Sequence, residues 1–194
     1  MTRVLVVQGH PARQRYHPCH ALAQSYAEGA AASGHDVELL EPAHLRFSLL
    51  SSRAEWEHGV LPPQLCAAQE SLRHAEHLVF VYPLWLGDMP AMLKGFLEQV
   101  ARPGMFINLD QGKAVSTGLL HGRSARLVIS TGMPGPAYRW LSGAHSLKLM
   151  RHDILGEAGA APVRATVVGS ATSMSAERVL RWRRRLHTLG QRAV

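Results

Sequence analysis

Arg3-Val4-Leu5-Val6-Val7-Gln8 is a short, unbroken apolar run, stopped by Gly9-His10-Pro11. A strand with one wet face alternates apolar and polar residues. An unbroken run describes a strand covered on both faces, as in a parallel sheet. Downstream, the same unit recurs. His20 to Ala32 reads as an Ala- and Leu-rich helix, ended by Ser33-Gly34 where a C-terminal glycine belongs, and Asp36 to Leu40 as a second strand. Gln64 to His74 is helical in pattern and delivers the third strand, His77 to Tyr82. A helix opening near Met89-Pro90 carries Leu93, Phe96, Leu97 and Val100 on one side, with proline suited to its first turn. Ala125 to Ser130 is strand four, Ser146 to Glu157 a helix, Pro162 to Val168 strand five, and an arginine-rich helix closes the chain. Pro42 to Pro63 reads as irregular, and residues 105–122 as a long glycine-punctuated loop of the kind that carries function. Strands alternating with helices define an α/β protein with a five-stranded parallel sheet wrapped on both faces by right-handed crossovers.

At 194 residues, with 46% hydrophobic and 18% charged residues, the chain suits one well-buried domain spanning residues 1–194. No apolar run approaches the ~18 residues a membrane span needs, and Val4 to Val7 is too short for a signal sequence. Two cysteines, Cys19 and Cys66, make no disulfide framework, so a soluble, cytoplasmic protein is expected. Cys66 reads as a small buried residue. The formal charge of +7 is concentrated in Arg178, Arg181, Arg183, Arg184 and Arg185. On a helix, Val179, Leu180, Trp182, Leu186 and Leu189 turn inward and leave the arginines a solvated face. No recognition motif accompanies them, and no nucleic-acid partner is expected.

Ligands of such sheets lie beyond the carboxyl ends of the strands, at the switch in strand order. Three of those ends are marked: Gly9-His10-Pro11, Pro83-Leu84-Trp85-Leu86-Gly87 and Thr131-Gly132-Met133-Pro134-Gly135. None is the GxGxxG dinucleotide fingerprint. His17-Pro18-Cys19-His20 gathers possible metal ligands, but no second ligand pair at a zinc spacing follows, and no metal is expected.

These loops, in this order and spacing, resemble the flavodoxin-like NAD(P)H:quinone oxidoreductase family, the DT-diaphorase-like enzymes and their short bacterial members. The likeness is carried by Val4 to Pro11, by Tyr82 to Phe96, by Gly122 to Val128, by Tyr138-Arg139-Trp140 with Gly143-Ala144-His145, and by Gly159 to Arg164. The resemblance implies a flavodoxin-like three-layer sandwich of strand order 2-1-3-4-5 and a tightly held flavin, FMN or FAD. It also implies a homodimer, and ping-pong hydride transfer from NAD(P)H to a quinone or similar electrophile. Leu84, Trp85 and Leu86, between Pro83 and Gly87, would run along the isoalloxazine edge, and Thr131, Gly132 and Met133 along its N1/O2 side. Backbone N–H groups suit those polar ring atoms. Tyr138 and His145 would stabilise developing charge and donate a proton, with Tyr138 also touching the cofactor. An alternative from the same resemblance is a flavoprotein acting as the ancillary subunit of a cation-efflux transporter, and a flavodoxin-type electron carrier is a third reading.

The phosphate-binding segment departs from the family pattern. Relatives carry a Ser-Phe-Asn-like segment leading into the first helix, whose N-terminus receives the flavin phosphate. Here Ala12-Arg13-Gln14-Arg15-Tyr16-His17-Pro18-Cys19-His20 stands in its place, with His17 at the serine position. His10, Arg13, Arg15, His17 and Cys19 are the candidates for that end of the cofactor. Leu86 stands where relatives often carry tryptophan, which softens the pocket wall.

Overall fold

The computed structural model describes residues 1–14, 17–110, 113–116, 118–140 and 143–194. In chain order the elements are β1 (Arg3–Gln8), α1 (Pro18–Ala32), β2 (Asp36–Leu40), α2 (Arg53–His58), α3 (Pro63–His74), β3 (His77–Pro83), α4 (Ala91–Val100), β4 (Ile107–Asp110), β5 (Lys113–Ser116), β6 (Ser124–Ser130), α5 (Gly135–Trp140), α6 (His145–Lys148), β7 (Val163–Val168) and α7 (Ala176–Gln191). The main sheet is parallel throughout, in the order β2-β1-β3-β6-β7. Numbering only its five strands gives the expected order 2-1-3-4-5. The chain leaves β1 toward one edge to build β2, then returns to add β3 on the other side, which makes the β1/β3 boundary the switch point.

The unbroken apolar runs fill two cores at once. Leu5, Val7, Leu78, Phe80, Tyr82, Leu127 and Ile129 face α3, α4 and the segment around α6, while Val4, Val6, Val79, Val81, Val128 and Val168 face α1 and α7. Each such side chain, taken fully from water, contributes about 1.5–3 kcal/mol. The second core is thin because α1 is built from small residues. Gly29 and Gly190 let α1 and α7 touch main chain to main chain: a Cβ on Gly29 would stand 2.0 Å from the His187 carbonyl oxygen, and one on Gly190 2.1 Å from that of Tyr26. Ser175 caps α7 by accepting from the Arg178 N–H. Much of the arginine face of α7 is tied to the protein itself: Arg178 donates to the Gly169 carbonyl, Arg183 to Ser25 Oγ, and Arg185 lies over Trp182.

Four segments differ from expectation. Residues 107–116 form the antiparallel hairpin β4–β5 within what reads as a loop. The Pro42 to Pro63 stretch holds a 3-10 turn (Pro42–His44) and α2, and is anchored to α4 by Gln99 Nε2 donating to the Ser48 carbonyl (2.7 Å). Arg102 Nη1 donates to the Glu55 carbonyl nearby (2.9 Å). The helix expected over Ser146 to Glu157 starts at His145 and widens into a π-helical stretch, Leu149–Gly156. Cys66 is exposed on α3, not buried.

Gly29→Ala tests the α1–α7 contact. The variant should unfold at a lower denaturant midpoint, losing roughly 1–3 kcal/mol to overpacking even though alanine favours a helix interior. An unchanged midpoint would show that the two helices do not meet there.

Candidate functional site

At the carboxyl edge of the sheet, three loops meet. The Leu84 N–H donates to the Ser130 carbonyl at 2.8 Å, which joins the loop after β3 to the end of β6. Cys19 Sγ lies 3.1 Å from Ser130 Oγ, joining the start of α1 to the same point. The His10 ring meets Trp85 edge-on with centroids 5.8 Å apart.

Trp85 and Asp88 close the β3–α4 loop by exchanging main-chain hydrogen bonds, Trp85 N–H to the Asp88 carbonyl at 2.8 Å and the reverse at 3.1 Å. Between them Leu86 and Gly87 both take positive φ, 51° and 88°. This is a type I′ turn, whose two central amides have no partner within the turn. The Leu86 and Gly87 N–H groups accordingly make no hydrogen bond among the described residues. Leucine in the left-handed region is strained, and strain of this kind gathers at functional sites. Its side chain is fully exposed, beside Trp85 at 51%.

Across from this turn, Thr131 is wholly engaged: its N–H donates to the Val168 carbonyl, its carbonyl accepts from Ala171, and its Oγ1 accepts from the Met133 N–H. Only the Gly132 N–H in that trio is left without a partner among the described residues. Met133 is exposed and Thr131 buried. The rim therefore presents three open amides, Leu86, Gly87 and Gly132, amid apolar surface from Trp85, Leu86 and Met133. That donor set fits the polar edge of a planar heterocycle, with apolar contacts for its faces.

Facing α1, the arrangement is different. His17 caps the helix through Nδ1, which accepts the Cys19 N–H at 3.2 Å, and its carbonyl accepts the His20 N–H at 3.1 Å. Pro18 has no N–H to offer. The first amides of α1 are thus consumed by the helix's own cap. His10 stacks on His17 with ring centroids 4.2 Å apart, and His20 lies 5.3 Å from His10. The His10 and His17 side chains, not the helix amides, are the donors this end of the rim leaves available to an anion; His20 Nε2 is held by the Ala12 carbonyl at 3.1 Å.

Of the other sequence candidates, Pro83 is buried at the end of β3, and Arg13 donates from Nε to the Ala43 carbonyl at 2.9 Å. Arg15 lies outside the described residues. Cys19 is not brought to the rim: its side chain is buried, its amide is taken by His17, and burial pushes its thiol up to about 12. Tyr138 is buried too, with its hydroxyl accepting the Leu147 N–H at 3.2 Å, and burial raises its pKa. His145 is exposed at the start of α6. His20, weighed in the sequence only as a possible metal ligand, joins this cluster as well. Its signal was the His17-x-x-His20 spacing, which puts both rings on the first turn of a helix.

Fold and loops together define a doubly wound α/β protein with its candidate site at the carboxyl edge of the sheet. A family model described as the flavodoxin-like fold matches residues 2–189, and the chain belongs to that family. An uncharacterized NAD(P)H oxidoreductase of Haemophilus influenzae is 25% identical over 138 residues, covering 70% of this chain and 67% of that protein. An FMN-dependent NADH:quinone oxidoreductase of Ruegeria pomeroyi is 34% identical over 82 residues, 41% of this chain and 40% of that one. Among solved structures, an NAD(P)H:quinone oxidoreductase from Methanothermobacter marburgensis superposes with a TM-score of 0.82 over 98% of both chains at 23% identity. The match thus spans about two thirds of the length of the first sequence relative and less of the second.

Burial separates the two thiols in a way that chemistry can read. A disulfide reagent should modify Cys66 rapidly in the native protein and reach Cys19 only on unfolding. Two fast thiols in the native state would contradict the packing at the base of the site.

Proposed function

We propose that this protein is a flavin-dependent NAD(P)H oxidoreductase that reduces quinones or similar electrophiles by two electrons, donor and acceptor using one site in turn. The observation that carries the reading is the pair of loops that leave the amides of Leu86, Gly87 and Gly132 open on an apolar rim. The relatives' names, NAD(P)H oxidoreductase and FMN-dependent NADH:quinone oxidoreductase, support the same chemistry and favour FMN over FAD. When bound, the flavin supplies hydride acceptance and donation. Everything else falls to the chain.

The open amides of Leu86, Gly87 and Gly132 would hold the polar edge of the flavin, where they could stabilise the negative charge that reduction brings. Preorganised amides of this kind favour the reduced state without reorganising. The exposed side chains of Trp85 and Met133 would supply apolar contacts to the bound ring. Thr131 acts through position, fixing the Gly132 amide by its own three bonds. Tyr138 stays protonated because burial opposes its ionisation, and it holds the start of α6 through the Leu147 N–H. His145, exposed at the start of the same helix, is the proton donor to the acceptor.

The reading includes a homodimer. Trp85, Leu86, Met133 and Trp140 are all exposed large apolar side chains, of a kind that a second subunit would cover. No helix among the described residues is long and apolar enough to cross a membrane. With both thiols free, we assign the reaction to the cytoplasm.

Protein loaded with FMN should oxidise NADH or NADPH when a benzoquinone is supplied. His145→Ala should lower turnover on the order of a hundredfold at unchanged flavin content. Equal turnover in the variant would remove His145 from the reaction, and a fully loaded protein without activity would end the oxidoreductase reading.

A further inference from the structure

We propose that the stacked imidazoles of His10 and His17 take over recognition of the cofactor phosphate from the main chain of α1, and that this protein therefore takes up a proton from solvent as it binds a phosphorylated flavin. The inference rests on the flavin reading above and adds what this chain's own residues do to it.

Main-chain bonds fix the tautomer of all three rings. Ala12 N–H donates to His10 Nδ1 at 3.1 Å, and Cys19 N–H donates to His17 Nδ1 at 3.2 Å. In the neutral ring a nitrogen that accepts cannot also carry the proton, so both rings hold theirs on Nε2. The Ala12 carbonyl can only accept, so His20, 3.1 Å from it through Nε2, is also the Nε2–H form. Ala12 thus pins two imidazoles with one residue's donor and acceptor. Neither the His10 nor the His17 Nε2–H has a protein partner among the described residues. With rings stacked at 4.2 Å and 25° apart, the two donors can address oxygens of one phosphate. His20, 6% exposed, has its Nδ1 buried without a partner and is the third basic nitrogen of the cluster.

The same geometry gives the proton linkage its sign. Burial first, then His17 and His20, hold His10 down at about 4; burial and His20 lower His17. Both rings are neutral near pH 7. No carboxylate among the described residues opposes these effects at either ring. The segment before α1 gives Arg13, tied to Ala43. Helix α1 gives the un-ionised Cys19, and β6 the neutral Ser130. The turn after β2 gives Glu41, which shares with Gln8 and His20 a cavity of about 150 Å³. The loop after β3 gives Trp85 and Asp88, whose Oδ1 accepts the Met89 N–H. A dianion seated on the Nε2–H pair reverses the balance, since a negative charge in contact favours the imidazolium. The rings then share a proton that the free protein does not hold, and by linkage the phosphorylated ligand binds more tightly as pH falls.

The test compares FMN with riboflavin, which lacks the phosphate, by calorimetry on the full chain stripped of flavin. Titrations between pH 8 and 6.5 keep the phosphate largely dianionic, its second pKa being about 6. The FMN-to-riboflavin affinity ratio should rise at least threefold, roughly, as pH falls across that window. Buffers of different ionisation enthalpy should reveal proton uptake with FMN and none with riboflavin. His17→Asn keeps a cap acceptor for the Cys19 N–H but cannot be protonated there, and should flatten the ratio while leaving riboflavin affinity unchanged. A pH-independent ratio, or an Asn variant that retains the full slope, overturns the imidazole mechanism alone. If neither FMN nor riboflavin binds, the flavin reading falls and the inference with it.

Discussion

A main-chain amide at the rim of a packed protein must find an acceptor, in solvent or in a ligand. The rest of this structure can be understood as the means of keeping three such amides open in one place. The Trp85–Asp88 pair forces a turn in which Leu86 and Gly87 cannot reach a partner, and the triple engagement of Thr131 leaves Gly132 alone beside it. Both loops hold their positions because β3 and β6 are adjacent and in register to their last residues, Pro83 against Ser130. Register is fixed in turn by two apolar cores, since a slip of one residue would exchange every side chain between the α3/α4 face and the α1/α7 face.

The two ends of the site are built on different principles. At the rim made by the loops after β3 and β6 the donors are peptide groups, which do not titrate and whose positions are set by backbone geometry. At the α1 end the backbone has been withdrawn: Pro18 brings no N–H, and His17 uses its own nitrogen and carbonyl to satisfy the next two. What remains are imidazoles, which respond to pH and to any anion that approaches them. An affinity assembled from a pH-insensitive half and a pH-sensitive half separates into those halves when the ligand's phosphate is removed.

Strand positions were legible because the central strands are covered on both faces, while the edge strand β2 alternates, with Asp36 and Glu38 exposed. The runs Arg3 to Gln8 and Asp36 to Leu40 bound their strands to the residue, and β3 extends only one residue further, to Pro83. The hairpin β4–β5 was less visible because its strands are four residues each and lie among glycines, although Ile107-Asn108-Leu109-Asp110 does alternate. The widening of α6 into π geometry has no signature in side-chain periodicity. The candidate loops could be found from their proline and glycine punctuation. Which amide in each loop stays open depends on hydrogen bonds to residues far away in sequence, such as Thr131 to Val168. Cys19 illustrates the same limit: its place in the segment that leads into the first helix makes it a candidate, but the helix turns its side chain under the sheet edge to Ser130.

Backbone amide resonances report directly on whether those three N–H groups meet a ligand. In ¹⁵N-correlated spectra of the full chain titrated with FMN, the account predicts the largest shifts at Leu86, Gly87 and Gly132, with β2 and β7 nearly silent. Saturable FMN binding that leaves those three resonances in place, and moves those of the β7 edge instead, would contradict it.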